Sequence, residues 1–257
     1  MFELFGAEFR RCWIQLIRYP GDAIGLVVIT TFIFYGLFLG THYIAGPSLQ
    51  FGDQLDAILV GYVLWSLVGF ILVDLAGQLQ YEAQTGTLEQ LFLSPFGSRK
   101  VLLLRALASL TLRLVITLLI LLLLITLTGS SLTFSPMLLF PLLTVLLGAY
   151  GFAFTIGSLA LLLKRVDQLV SIILFAMLFL MTTTTETLTG WQQIIRWLLP
   201  MTGGAGIMRD LMARGEALDL AQFTLAVLNG IAYLTVGLLI FHLAEREAKR
   251  RGKLGGY

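Results

Sequence analysis

The sequence predicts an all-α polytopic membrane protein. It has six transmembrane helices, an N-terminal amphipathic helix in the interface, a short cytoplasmic helix after the second span and an outer re-entrant helical hairpin before the sixth. Three observations carry this prediction. Of 257 residues, 58% are hydrophobic and only 12% charged, about half the charged fraction of a soluble domain, and a soluble core of this length could not hide so much apolar surface. Six separate runs approach or exceed the roughly 20 apolar residues that cross a bilayer. The Lys and Arg residues, finally, fall almost wholly on one side of those runs.

Residues 1–20 come first. Phe2, Leu4, Phe5, Phe9, Trp13, Leu16 and Ile17 recur near helical spacing, with Glu3, Glu8, Arg10 and Arg11 on other faces. This is the pattern of a helix lying in the interface plane, and it suits a bare membrane anchor as well as a partner dock. Pro20-Gly21 is expected to end it and turn the chain into the membrane. The same charges interrupt any clean apolar stretch, so a cleavable signal peptide is not expected. Spans are predicted at residues 23–43, 55–77, 102–128, 137–163, 168–184 and 221–243; the third is long enough to tilt or to begin at the interface. Gly148, Gly151 and Gly157 in the fourth allow close helix packing.

Orientation follows from the basic residues. With the N-terminus inside, only Arg196, Arg209 and Arg214 are assigned outside and Arg113 within a span, while the rest of the 17 Lys and Arg residues are inside. The short outer loops 44–54 and 129–136 hold neither Lys nor Arg. Both termini are therefore expected on the cytoplasmic side. The net charge of +2 gives no reason to expect nucleic acid.

Residues 78–100 form a polar island between the second and third spans. Thr87 with Gln90 fits a capping box, Gly86 allows a sharp turn before it, and Leu88, Leu91 and Phe92 share one helical face with Glu89 and Gln90 on another. Pro95 then stops the helix. A short capped amphipathic helix suits docking into a groove; it equally suits padding of the membrane surface.

The outer segment 186–218 differs in kind. Two short apolar pieces, 191–199 and 205–213, are too short to span and have the length of re-entrant or interfacial helices. Pro200 and Gly203-Gly204 are expected to form the break between them. Thr182–Thr185 with Glu186 make the outer end of the fifth span polar. The Thr hydroxyls can serve the helix's own carbonyls or line an exit path, and Glu186 reads as a boundary residue. Arg209 and Asp210 read as surface groups that cap or staple the turn. Ionisable residues inside a bilayer pair or face a cavity, so Asp74 and Arg113, at matching depth on neighbouring antiparallel spans, can pair; Arg113 can equally snorkel to the inner interface.

Catalytic chemistry finds no purchase. The single cysteine, Cys12, forms no disulfide within the chain. With His42 and His242 far apart in depth, no Cys/His metal cluster can be assembled. No nucleophile–base set of the kind an intramembrane enzyme needs is apparent.

The stretch Glu82-x-x-Thr85-Gly86-Thr87-Leu88-Glu89-Gln90-Leu91-x-x-Ser94-Pro95 resembles the inner loop of ABC-2 type permeases, the membrane subunits of ABC exporters. The segment "WLLPMTGGAGIMRDLM" resembles the family's outer segment before the last span, where an Asn/Leu-Pro-Leu-Thr pattern precedes an Arg. Glycines replace the aromatic that usually follows that Thr, and Thr184-Thr185 stand where the family often has Pro. The resemblance covers essentially the whole chain and implies a single ABC-2 transmembrane domain over 1–257. It further implies a pair of permeases (two copies or a sister chain), separate cytoplasmic ABC ATPase subunits that bind ATP and Mg, and a bacterial inner-membrane location. Glu82, Thr85, Gly86, Thr87, Leu88, Glu89, Gln90, Leu91 and Phe92 would then form the coupling segment. Thr185, Glu186, Pro200, Gly203 and Gly204 would belong to the outer gate. No cofactor is expected in this chain, whose sequence lacks a G-x-x-x-x-G-K-[S/T] phosphate loop. The hydrophobic path favours an amphiphilic, lipid-like or natural-product substrate. A polysaccharide or lipid-linked glycan is the alternative. An ion-coupled secondary transporter would require midplane charges and related halves, both weak here.

Overall fold

The computed structural model describes residues 2–45, 52–85, 98–163, 166–183 and 196–250. Helix α1 (Phe2–Arg18) is followed by α2 (Pro20–Ala45), α3 (Gly52–Thr85), α4 (Ser98–Thr128), α5 (Leu139–Leu163), α6 (Asp167–Thr182), α7 (Thr202–Ala213) and α8 (Leu220–Arg250), with a 3₁₀ turn, Pro136–Leu138, leading into α5. Among the described residues there is no strand. The stretches Pro20–Gly40, Gln54–Glu82, Lys100–Thr128, Pro136–Leu163 and Leu220–Arg250 are each long and apolar enough to cross a membrane. The expected fifth span coincides with α6, whose 16 residues reach about 24 Å, less than the ~30 Å hydrocarbon core; residues 184–195 lie outside the described set.

Two expected boundaries move. Pro20 does not end a helix but opens one: at the first helical position its missing N–H is no loss, and Asp22 follows in the first turn, where a carboxylate meets the positive helix end. Only Tyr19 separates α1 from α2. The expected loop 78–100 is also partly helix, since residues 78–85 prolong α3 and 98–100 begin α4. Gln78, Gln80, Glu82 and Ala83 all favour helix, and nothing among them breaks it.

The core forms around α3. Of its apolar window 67% is buried, against 11% for α2 and 17% for α8, so α3 is the centre and the other two are flanks. Aromatic side chains bolt neighbours to it: Tyr62 Oη donates to the Thr30 carbonyl of α2 and Trp65 Nε1 to the Leu174 carbonyl of α6, both at 2.8 Å. Each buries an apolar ring while satisfying its polar end. Helices α5 and α8 pack at backbone distance. A Cβ on Gly151 would collide with the Tyr233 backbone, and one on Gly237 with the Gly151 carbonyl. Gly157, by contrast, faces the side chain of Leu79.

On α1 the apolar residues Phe9, Trp13 and Ile17 (39%, 47% and 64% exposed) recur every fourth residue and point away from the protein. The opposite face packs toward α4 and α2.

Candidate functional site

The polar island leaves α3 and rejoins α4 beside a three-helix ion-pair cluster. Arg105 of α4 bonds the Glu82 carboxylate of α3 through Nη1, and its Nε donates to Glu8 Oε1 of α1 at 3.0 Å. Arg11 Nη1 approaches Glu8 Oε2 at 3.5 Å. The Arg105, Glu8 and Glu82 side chains are only 21%, 14% and 12% exposed, so these charge-assisted bonds are partly shielded from water. One guanidinium thus holds α1, α3 and α4 together. Among the expected coupling residues, Glu82 is engaged inside the chain, and Thr85 is the last residue of α3. Gly86, Thr87, Leu88, Glu89, Gln90, Leu91 and Phe92 lie outside the described residues.

Next to this cluster a cavity of about 800 Å³ opens between α1, α2, α3 and α4. Asp74 and Arg113 both line it, but no salt bridge joins them among the described residues. Asp74 Oδ2 instead accepts from Ser109 Oγ at 2.8 Å, and the Arg113 guanidinium lies over the Phe70 ring, 5.2 Å from its centroid. Phe70 sits one helical turn before Asp74, which holds the two charges apart. Cys12 of α1 also faces this space, and its thiol pKa is pushed up by burial first, then by the carboxylates of Asp74 and Glu8.

The third cluster surrounds the turn into α7. Residues 196–198 are helical and the chain reverses at 199–201. Pro200 is at this break, as expected, but Gly203 and Gly204 are not: they lie in the first turn of α7. The positive φ of 64° falls on Met201, a conformation uncommon outside glycine. The glycines serve packing instead, for a Cβ on Gly203 would meet the Trp197 ring at 2.5 Å and one on Gly204 would collide with Thr144 Oγ1. A helix end leaves carbonyls without partners, and here α8 supplies them. Asn229 Nδ2 donates to the Trp197 carbonyl at 2.7 Å, and Tyr233 Oη donates to the Leu198 carbonyl at 2.8 Å. Thr202 Oγ1 donates to the carbonyls of Arg196 and Leu199.

Arg209 is not a surface group. It is 0% exposed, and its Nη1 bonds the Met181 carbonyl near the end of α6. Asp210 pairs with Arg214 one turn away. Thr182 and Thr183 donate to the carbonyls of Leu178 and Phe179 at 2.7 and 2.6 Å, the local role open to them in the sequence. Thr185 and Glu186 lie outside the described residues. No metal-holding group of three or more His, Cys, Asp or Glu occurs among the described residues.

Sequence reasoning missed Asn229 and Tyr233, whose partners are backbone atoms some thirty residues away and leave no side-chain pattern. It also missed the Glu8–Arg105–Glu82 cluster. A signal existed there: opposite charges near the ends of helices that follow one another in the chain. A family model described as ABC-2 type transporter matches residues 3–213. No curated protein matches the chain.

Proposed function

Because this chain belongs to the ABC-2 type transporter family, and so is a multi-pass permease component of an ABC transporter, we propose that it serves an exporter. Cytoplasmic ABC ATPase subunits drive it, and it carries an amphiphilic, lipid-like or natural-product molecule outward across the bacterial inner membrane. Both termini face the cytoplasm, and two permeases, identical or sister chains, pair around the path. ATP and Mg are bound by the partner, since this sequence has no phosphate loop of its own.

The observation that supports this reading is the Glu8–Arg105–Glu82 cluster. It ties the helices from which residues 86–97 leave and rejoin to the amphipathic α1. A push delivered to that segment would therefore move α1, α3 and α4 as one body rather than bend a slack loop. Residues Thr87 to Phe92 seat in an ATPase cleft as a capped helix, with Glu89 at its rim. Toward the other membrane face, Pro200 and the α7 turn, together with Thr185 and Glu186, form the outer gate.

The test is ATPase co-purification and coupled hydrolysis in vesicles. Thr87→Ala removes a cap worth about 0.5–2 kcal/mol and should weaken coupling; Glu89→Lys should weaken it further, because a charge left unpaired in an interface is costly. Both variants should insert at wild-type levels. Wild-type coupling in Glu89→Lys at matched expression would mean that the segment only pads the membrane surface.

A further inference from the structure

The cavity between α1, α2, α3 and α4 has the profile of an amphiphile. Along α4 its wall runs from Val101 to Ile116, about 22 Å at helical rise. At the shallow end lie the paired charges of Glu8, Glu82 and Arg105. Leu26, Leu112 and Ile116 line the deep end. Asp74 stands between them and Arg113 beside Leu112, one charge of each sign, and neither has an ion-pair partner within 4 Å among the described residues.

Two opposite charges in transmembrane helices would ordinarily close on each other. Here Phe70 holds Arg113 by its ring and Ser109 holds Asp74 by a hydrogen bond. Phe70 and Asp74 are four residues apart on α3, so the charges are offset by about one helical turn. The other charged groups on the wall are already answered. Glu8 and Glu82 share Arg105, Arg11 leans on Glu8, and Asp22 sits in the first turn of α2, at the positive end of that helix. What remains among the described residues is one cation and one anion, fixed apart, in a space with Leu26 and Ile116 at its far end.

We propose that this cavity binds a phospholipid through a zwitterionic phosphoethanolamine head, the phosphate on Arg113, the primary ammonium on Asp74, and the first acyl carbons against Leu26, Leu112 and Ile116. A guanidinium suits phosphate oxygens, and a primary ammonium offers N–H donors to a carboxylate that a trimethylated one lacks. The acyl side fits a lipid rather than a free head, because beyond Arg113 the cavity is lined by Ile116 of α4 and Leu26 of α2. The inference needs only that the chain lies in a bilayer; it does not depend on which molecule is exported.

The chain carries its own reporter, since Cys12 is its only cysteine and lines the cavity. Maleimide labelling of Cys12 would be timed in detergent with added dioleoyl phosphatidylethanolamine, phosphatidylcholine or phosphatidylglycerol, and with soluble phosphoethanolamine. Phosphatidylethanolamine should slow labelling at about tenfold lower concentration than the other two lipids, the worth of one charge-assisted contact. Asp74→Asn and Arg113→Gln should each remove that preference, compared within each variant because Asp74 also acts on the thiol. Arg113→Lys should retain part of it and guards against a folding artefact. Equal protection by all three lipids, or a preference unchanged in both variants, overturns the site. Protection by soluble phosphoethanolamine at the lipid's own concentration would overturn the acyl part.

Discussion

Arg209 lies in the sequence between polar-looking turn residues, yet it is among the largest fully buried side chains in the structure. A guanidinium enclosed there needs hydrogen-bond partners to offset its desolvation, and the Met181 carbonyl is one. Arg209→Met keeps much of the volume and removes the donor, so the carbonyl loses its partner. This should destabilise the protein by about 1–3 kcal/mol, read as a lower melting temperature in detergent. Arg209→Lys should recover part of the loss, whereas a melting temperature equal to wild type in Arg209→Met would mean that α6 and α7 are not joined there. The side chain was visible in the sequence, but its burial was not. Burial depends on α3, α5 and α8 closing over α7, and no local pattern encodes that closure.

At the scale of elements, glycine spacing was readable and its consequence was partly readable. Gly148, Gly151 and Gly157 marked α5 as a helix that packs closely. Only the structure identifies the partners: α8 at Gly151, the Met201 side chain at Gly148 and Leu79 of α3 at Gly157. Gly151→Ala should cost about 1–3 kcal/mol through overpacking, since the added methyl meets backbone that cannot rotate away. Gly25→Ala is the matched control, because a Cβ there meets nothing within 4 Å. Similar melting temperatures for the two variants would show that α5 and α8 are not in backbone contact. The same reasoning replaces reversal by packing at Gly203 and Gly204: their substitution by Val would press on Trp197 and Thr144, whereas Met201 carries the bend.

At the scale of the whole molecule, the buried α3 packs among α4, α5, α6 and α7, while α2 and α8 are mostly exposed on the flanks. On a Cys12→Ser background, single cysteines replacing Ser131 and Glu216 should react with an impermeant thiol reagent in intact cells. Replacements of Ser98 and Lys253 should react only after permeabilisation. Labelling of the Ser98 replacement in intact cells would invert the proposed orientation and sink the inner placement of residues 86–97.

Composition and periodicity determined by themselves that the chain is a helical membrane protein, where five of its long apolar helices run and which residues interrupt them. These are one-dimensional properties: hydropathy over some twenty residues needs no knowledge of neighbours. The capping-box pattern at Thr87 is equally local, closing within four residues, but it lies outside the described residues. Tertiary structure alone decided that Arg105 gathers Glu8 and Glu82, that Asn229 and Tyr233 complete a helix end on another element, and that Asp74 and Arg113 share a cavity without pairing. Each depends on which helices become neighbours and at what rotation. A change of one residue in register turns a helix by about 100°, enough to move any of these side chains from a shared cavity into lipid.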